Sequence, residues 1–560
     1  MRGALGHSAA AAALLCAAGC NLAPHYERPK SQASSAYKEA VAGGDVSSQG
    51  WKMAEPRDAE IRSRWWEMYR DPRLDELEER VAISNQTIVA AEANYRAAYA
   101  MVLQAQAQLF PTLNLVPSAT REKSSAALAG SAVTTATTAT TAGAGAAAGA
   151  GSSGGTGTAG TNIFALPLEA SYQIDLWGSI RNTVAANRYS AQASAAQLAN
   201  ALLSTQSTLA QDYFQLRIAD EQRRILETTV ADYRANLKLV RTLFDNGLDS
   251  EEDVASAETE LDSAIAQATD VGVARAQYEH AIAVLIGVPP GQFSIPYVHF
   301  NQPLPVIPVG VPSDLLERRP DIAAAERQVA QSNAQIGVAR AAFFPTLTLT
   351  GAIGYESTQL SQLIEAPNRY WSVGAGLSQV LFDAGERRAA LLQARAQNEA
   401  QVANYRQTVL AAFQSVEDQL AALRILSEEL EQQRRATLAA KHFVELSVVR
   451  FRQGVDSYVN VITAENAFLS SREAELQVKL RQLTASVSLI NDLGGGWASA
   501  TLGETERMAQ HPPELGKEPP IPVENAGPPL PNPPALPAGE IQPDEFIKQN
   551  EEAMRTAPAN

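Results

Sequence analysis

The stretch "FFPTLTLTGAIGYES", residues 343–357, alternates apolar and polar side chains with the two-residue period of a β-strand. One face of this strand is apolar and holds Leu347, Leu349, Ile353 and Tyr355. The other face holds Thr346, Thr348, Thr350 and Gly354. A near copy, "LFPTLNLVPSAT", occupies residues 109–120. Most of the remaining chain has a helical period, so the sequence predicts a mainly helical protein that uses one strand pattern twice.

The two strand copies belong to an internal two-fold repeat. A shift of 207 residues places Gly247 on Gly454, and a shift of 234 places segment 88–113 on segment 322–347. The first copy therefore has 27 extra residues, the difference between the two shifts. They fall in 124–161, which contains only Ser, Ala, Leu, Gly, Val and Thr and is predicted to be a flexible loop.

Each copy reads as helix, strand, loop, strand, long helix, turn and long helix. Apolar residues recur every seven positions along the first long helix: Leu202, Leu209, Leu216, Val230, Leu237 and Phe244. The second copy has the same pattern at Val409, Val416, Leu423, Val444 and Phe451. Such heptads predict antiparallel coiled-coil hairpins about 100 Å long. Gly247 and Gly454 are predicted to end the first helix of each hairpin as left-handed caps.

Strands are predicted near 111–120, 164–176, 345–356 and 371–382, each with one apolar and one polar face. This pattern is typical of a transmembrane β-barrel. Four strands cannot close a barrel, because the smallest barrels have about eight, so several chains must share their strands. No apolar run of about 18 residues follows the N-terminus, so no transmembrane helix is expected in the mature chain.

The N-terminus has the layout of a secretory signal that ends in "AAGC", residues 17–20. This ending resembles a bacterial lipoprotein box, which implies that Cys20 is lipidated; an ordinary secreted protein with a stray cysteine is the alternative. Asn21 suits delivery to the outer membrane. The chain thus divides into six predicted segments. A signal peptide (1–19) and a lipidated N-terminal segment (20–70) come first. A first repeat (71–287), an equatorial linker (288–319), a second repeat (320–495) and a Pro-rich acidic disordered tail (500–560) follow.

Composition excludes several classes of function. A net charge of −16 and a pI near 5.0 argue against a nucleic-acid partner. The six histidines show no metal-ligand spacing, and "GGG" at 494–496 lacks the Lys-Ser/Thr of a phosphate-binding loop. We therefore expect no enzyme activity, no metal and no cofactor beyond the covalent lipid at Cys20.

Several phrases together resemble the outer membrane factors, the TolC-like trimeric outer-membrane channels of tripartite efflux and secretion systems. These phrases are "CNLAPHYERP", "LERRPDIAAAE", "FFPTLTLTGAIGY", "GLSQVLFDAGERR" and "RFRQGVDSYVNVITAE". The resemblance is strongest to the lipoprotein branch that serves resistance-nodulation-division pumps. It implies a homotrimer in the bacterial outer membrane, with a shared 12-stranded β-barrel and a periplasmic α-barrel. It also implies passive conduction of small molecules that an inner-membrane pump and a periplasmic adaptor hand over.

The resemblance also assigns roles near the hairpin turns. The expected adaptor-docking residues are Gly247, Asp249, Arg450, Arg452, Gly454 and Val455. The expected periplasmic gate comprises Val459, Asn460, Thr463 and Asp456. The family has acidic residues at the positions of Asn460 and Thr463, and the nearest carboxylates here are Asp456 and Glu465. This departure predicts a gate that closes by hydrogen bonding and packing and is less sensitive to divalent cations. The alternative is that the acidic first tip, with Asp249, Glu251, Glu252 and Asp253, attracts cations instead.

Two alternative functions fit parts of the sequence. An exit duct for type I protein secretion would share the architecture, and only the lipoprotein box and the pump-linked resemblance favour small-molecule efflux. A non-conducting structural envelope lipoprotein would explain the heptads and Cys20. It would not need four alternating strands.

Overall fold

The computed structural model describes residues 21–30, 37–39, 64–122, 161–300, 304–305, 307 and 318–497. Three predictions lie outside these described residues. They are the signal peptide with its lipidated Cys20, the flexible loop except for its last residue, Thr161, and the Pro-rich tail.

Long helices dominate the fold, as the sequence predicts. Their bounds are α1 Pro72–Ser84, α2 Gln86–Ala107, α3 Ser179–Asp245, α4 Glu251–Leu285, α5 Pro320–Ala341, α6 Glu386–Arg452 and α7 Tyr458–Asp492. The repeat is preserved in the helix lengths: α3 and α6 have 67 residues each, and α4 and α7 have 35 each. Among the described residues, no helix combines the length and the apolarity needed to cross a membrane.

The two long hairpins turn through the same backbone motif. Gly247 has φ 71° and Gly454 has φ 69°, a left-handed conformation that favours glycine. In the first turn the Leu248 N–H donates to the Leu243 carbonyl at 2.9 Å, and in the second Val455 does the same to Arg450 at 3.0 Å. These are the hydrogen bonds of a Schellman cap, which satisfies the last carbonyls of α3 and α6.

A five-stranded antiparallel sheet lies beyond the other end of the long helices. Its strands are β1 Thr112–Leu115, β2 Ser118–Glu122, β3 Thr161–Ile174, β4 Thr346–Ser357 and β5 Arg369–Ser378. β3 pairs with β4, β4 pairs with β5, and both β1 and β2 pair with β3 in one continuous register. The strand predicted at 111–120 is thus broken at Val116 and Pro117, opposite Pro167, because proline has no N–H to donate.

The strand register gathers apolar side chains on one face of the sheet. One row of paired residues across the sheet is Leu115, Leu168, Ile353 and Trp371. The next row is polar or small: Asn114, Glu169, Ala352 and Ser372. The last strand differs from its predicted span of 371–382, since its ladder ends where Ser378 pairs with Thr346. Pro345, just before Thr346, cannot donate a further ladder bond.

The main apolar core lies midway along the helices. The short 3-10 helix Trp65–Tyr69 contributes Trp65 and Tyr69, which pack with Phe214 of α3 and Val487 of α7. The hydroxyl groups of Tyr69 and Ser486 lie 2.7 Å apart. The sequence indicated no strong period in this N-terminal segment, yet its aromatic residues anchor it between the two repeats.

A buried ionic network fixes the start of the linker between the repeats. Asp220 of α3 accepts hydrogen bonds from Arg275 Nε at 2.8 Å and from Arg217 Nη1 at 3.2 Å. The same arginines donate to linker carbonyls, Arg275 to Ile295 at 2.5 Å and Arg217 to Pro296 at 2.9 Å. The first residues of the predicted linker, 288–300, contain one short 3-10 helix, Pro290–Gln292, and these contacts hold them in place.

Candidate functional site at the two hairpin tips

The tip of the first hairpin, between α3 and α4, is acidic. Four carboxylates lie within five residues: Asp249, Glu251, Glu252 and Asp253. The Ser250 hydroxyl caps α4 by accepting from the Asp253 N–H at 3.1 Å, and it donates to Asp253 Oδ2 at 2.7 Å. Acidic residues in a first helical turn are stabilised by the helix dipole. Burial and the neighbouring Asp253 raise the pKa of Asp249 above its usual range.

The tip of the second hairpin, between α6 and α7, is basic and apolar. Arg450 donates through Nε to Asp456 Oδ2 at 2.5 Å, and this bond holds the pKa of Asp456 below its usual range. Val455 is 61% exposed at the turn. Sequence reasoning placed Arg450 among docking residues and Asp456 in the gate, whereas the structure joins them in one ion pair.

The other predicted gate residues lie in the first turns of α7. Val459, Asn460 and Thr463 are all exposed. Thr463 Oγ1 donates to the Val459 carbonyl at 2.8 Å, so its hydroxyl is engaged within its own helix. Tyr458 and Val461 point the other way, into a buried cluster with Leu237 and Val240 of α3. The exposed trio is therefore held on a helix whose opposite face packs against the first hairpin.

Sequence reasoning missed one residue near the tips. Glu465 was noted only as a nearby carboxylate, yet it is 9% exposed and lies between the hairpins. Asn236 of α3 donates through Nδ2 to Glu465 Oε1 at 2.5 Å. Burial raises the pKa of Glu465 to about 7. The available signal was the position of Glu465 on α7. It lies on the face that packs against other helices of the coiled coil, where residues are usually apolar.

Comparison with known proteins identifies the class to which this arrangement belongs. The sequence model of the family described as outer membrane efflux protein matches residues 77–288 and 311–495. The chain belongs to that family.

Relatives and solved structures agree with this assignment. The chain is 30% identical over 495 residues to the solvent efflux pump outer membrane protein SrpC of Pseudomonas putida, covering 87% of this chain and 97% of the relative. It is 29% identical over 480 residues to the toluene efflux pump outer membrane protein TtgF, also of Pseudomonas putida, covering 86% and 94%. The solved outer-membrane channel OprN matches with a TM-score of 0.73 and 28% identity, covering 85% of this chain and all of that one.

These matches confirm the predicted fold class, the outer-membrane location and the efflux function. The protein is an outer-membrane efflux channel component with a mainly helical fold and a small antiparallel sheet. Its family is one of efflux proteins and not of enzymes.

Proposed function

We propose that three copies of this chain form a passive duct through the outer membrane. Within the described residues, β5 pairs only with β4, and β1 and β2 pair only with β3, so both edges of the sheet have unpaired backbone groups. Such groups are costly in lipid, where only a closed sheet satisfies them. Pairing β5 of one chain with β1 and β2 of the next closes the sheet, and three chains make a barrel wide enough for a channel.

The exposed surface of α6 supports assembly from several chains. Large apolar side chains recur along this helix with half or more of their surface exposed: Leu392, Leu410, Ile425, Leu438, Leu446 and Val449. These side chains extend over about 85 Å of the helix at 1.5 Å per residue. A neighbouring copy of the chain would cover them and complete a hollow helical barrel.

In this assembly the apolar face of the sheet, with Ile353 and Trp371, contacts lipid, and the polar face, with Thr348 and Thr350, lines the water-filled lumen. The hairpin tips form the periplasmic entrance and dock an adaptor that belongs to a resistance-nodulation-division pump. Asn460 and Thr463 constrict the entrance, and a lipid on Cys20 anchors the chain. The protein conducts its substrates and catalyses no reaction.

The observation that carries this proposal is the pair of open sheet edges, and conductance tests it. Native mass spectrometry of the purified protein should detect a trimer, and the protein should form discrete ion channels in planar bilayers. A monomer that forms no channels would overturn the proposal. Added Mg²⁺ should leave the conductance nearly unchanged, because no acidic residue occupies positions 460 and 463.

A further inference from the structure

A polar cluster between the two hairpins has no role in the channel architecture described so far. Glu465 follows Tyr458 and Val461 along the face of α7 that packs on α3. The spacing of three and four residues is that of a coiled-coil seam, where polar residues lower stability and set specificity. Glu465 is nonetheless almost fully buried.

The cluster joins α7 to both helices of the first hairpin. The Asn236 amide of α3 donates to Glu465. The adjacent Asn466 accepts from the Tyr233 hydroxyl of α3 at 3.2 Å and donates to Glu260 Oε2 of α4 at 3.3 Å. These contacts lie next to the buried apolar cluster near the tips, and they link the second hairpin to the first.

The groups that face Glu465 are anionic or neutral. Asp232 and Tyr233 come from α3, Glu260 comes from α4, and Tyr458 comes from α7 itself. In the described part of the chain no cation pairs with Glu465, and α6, which also packs on α7, supplies none. Burial is the largest cause of its raised pKa, and repulsion from Asp232 and Glu260 adds to it, while the Asn236 hydrogen bond opposes both.

The repeat provides an internal comparison for this site. Glu258, the residue that corresponds to Glu465 in the first copy, has a side chain that is 45% exposed and forms an ion pair with Arg241 of its own hairpin. The residue that corresponds to Arg241 is Val448, so the second copy has no such cation. The same glutamate is therefore solvated and paired in one hairpin, and buried without a counter-ion in the other.

We propose that Glu465 is a proton-operated latch that holds the two hairpins together while it is protonated and weakens their contact when it ionises. As a gate on transport, the latch rests on the proposed entrance at the tips. The closed contact binds the proton more tightly than an open state, in which a solvated glutamate has a pKa of about 4.3. The closed state is therefore favoured in acid, and this preference is lost as the pH rises from about 4.5 to about 7.

The latch can be tested by measuring the distance between the tips. Spin labels on Leu248→Cys and Val455→Cys, in full-length protein with Cys20→Ser and diluted into unlabelled chains, report the separation of the hairpins within one chain. In the wild-type background the ratio of separated to closed hairpins should rise with pH between 5 and 7, by at most about tenfold per pH unit for a single group. Glu465→Gln keeps the shape and removes the titration, so its hairpins should stay closed at pH 8.

Two further variants make the result decisive. Glu258→Gln is the matched control and should follow the wild type, since this glutamate is half-exposed and paired within its own hairpin. Asn236→Ala removes a hydrogen bond that stabilises the ionised carboxylate in the closed contact, so the ratio of separated to closed hairpins should exceed that of the wild type and should keep rising to a higher pH. An unchanged pH response in Glu465→Gln, or a wild-type distance that does not vary with pH, would overturn the latch. Loss of channel conductance with the distance response intact would overturn the proposed duct and leave the latch standing.

Discussion

The two long helices of the repeat, α3 and α6, have the same length and place corresponding residues in opposite environments. Ile218 on α3 is 3% exposed, whereas Ile425, its counterpart on α6, is 51% exposed. Leu203 and Leu410 repeat the contrast at 7% and 55%. α3 is covered by other helices of the chain on several sides, while α6 packs mainly on α5 and α7. One sequence pattern thus builds a core in the first copy and an uncovered face in the second.

The largest expected effect on stability comes from a buried arginine of α3, Arg217, compared with its counterpart on α6. Arg217→Ala leaves Asp220 with one of its two cations, and breaking a buried ion pair costs about 3–5 kcal/mol. Arg424, the counterpart on α6, pairs with Glu39 and is one-third exposed. Arg424→Ala should cost about 1 kcal/mol or less. Thermal unfolding of both variants in the same detergent measures the difference in stability. Equal losses of stability would contradict the burial of Arg217 and the exposure of Arg424.

The leucine pair separates folding from assembly. Leu203→Ala should destabilise the chain by about 2–5 kcal/mol, because it leaves a cavity in a packed core. Leu410→Ala should change the unfolding of a single chain little, since the side chain is exposed there. If a neighbouring chain covers α6, this variant should instead lower the fraction of trimer in native mass spectrometry. A trimer fraction equal to that of the wild type would count against α6 as the interface.

The turn glycines should behave alike in both copies. Gly247→Ala and Gly454→Ala each force a left-handed conformation on a residue with a Cβ, at a cost of about 1–2 kcal/mol. No atom lies within 4 Å of the added methyl at either site, so steric clash adds nothing. Gly272→Ala, inside α4, is the control and should stabilise the chain by up to about 1 kcal/mol. If one of the two turn variants were destabilised and the other stabilised, the two tips would not be equivalent.

The smallest effect on stability is expected at the exposed tip pair. Asp456→Asn removes the carboxylate that Arg450 binds, and the midpoint of thermal unfolding should not move measurably, because water solvates both groups. The pKa of Asp456 is lowered, so the pair persists at neutral pH and is lost only as the pH falls through that lowered value. The pKa of the Asp456 carboxyl can be measured by NMR titration in the wild type and in Arg450→Ala. It should be higher in the variant.

Local patterns predicted much of the fold. Strand alternation predicted which faces of β3 and β4 are apolar, and the turn glycines and heptads predicted the helix hairpins. Arg223 stands between Leu216 and Val230, where the seven-residue period would place an apolar residue, yet it does not interrupt the helix. Its side chain reaches outward to the Tyr297 hydroxyl at 2.7 Å. A single polar residue costs one seam contact, and the backbone hydrogen bonds of α3 continue past it.

The candidate site was less predictable because it depends on how the hairpins pack. The sequence of α7 does not reveal that Asn236 of another hairpin faces Glu465. Nor does the heptad pattern of α3 reveal that Phe244 is 42% exposed while Leu237 is buried on the same stripe. The Arg450–Asp456 pair spans a turn, so its geometry depends on the cap and not on any periodic spacing. Contacts between elements distant in sequence leave no periodic signal.

The break between β1 and β2 affects the chain before it meets its partners. A sheet edge with a long run of free backbone groups is a template for aggregation. Here Pro117, with Pro167 opposite its neighbour Val116, divides one edge into strands of four and five residues, while the opposite edge, β5, runs unbroken for ten. A lone chain crossing the periplasm therefore presents one interrupted edge, which is a poorer template for misassociation than the unbroken edge of β5. The two prolines thus protect one of the two sheet edges during transit, and the sheet has a few ladder hydrogen bonds fewer as a result.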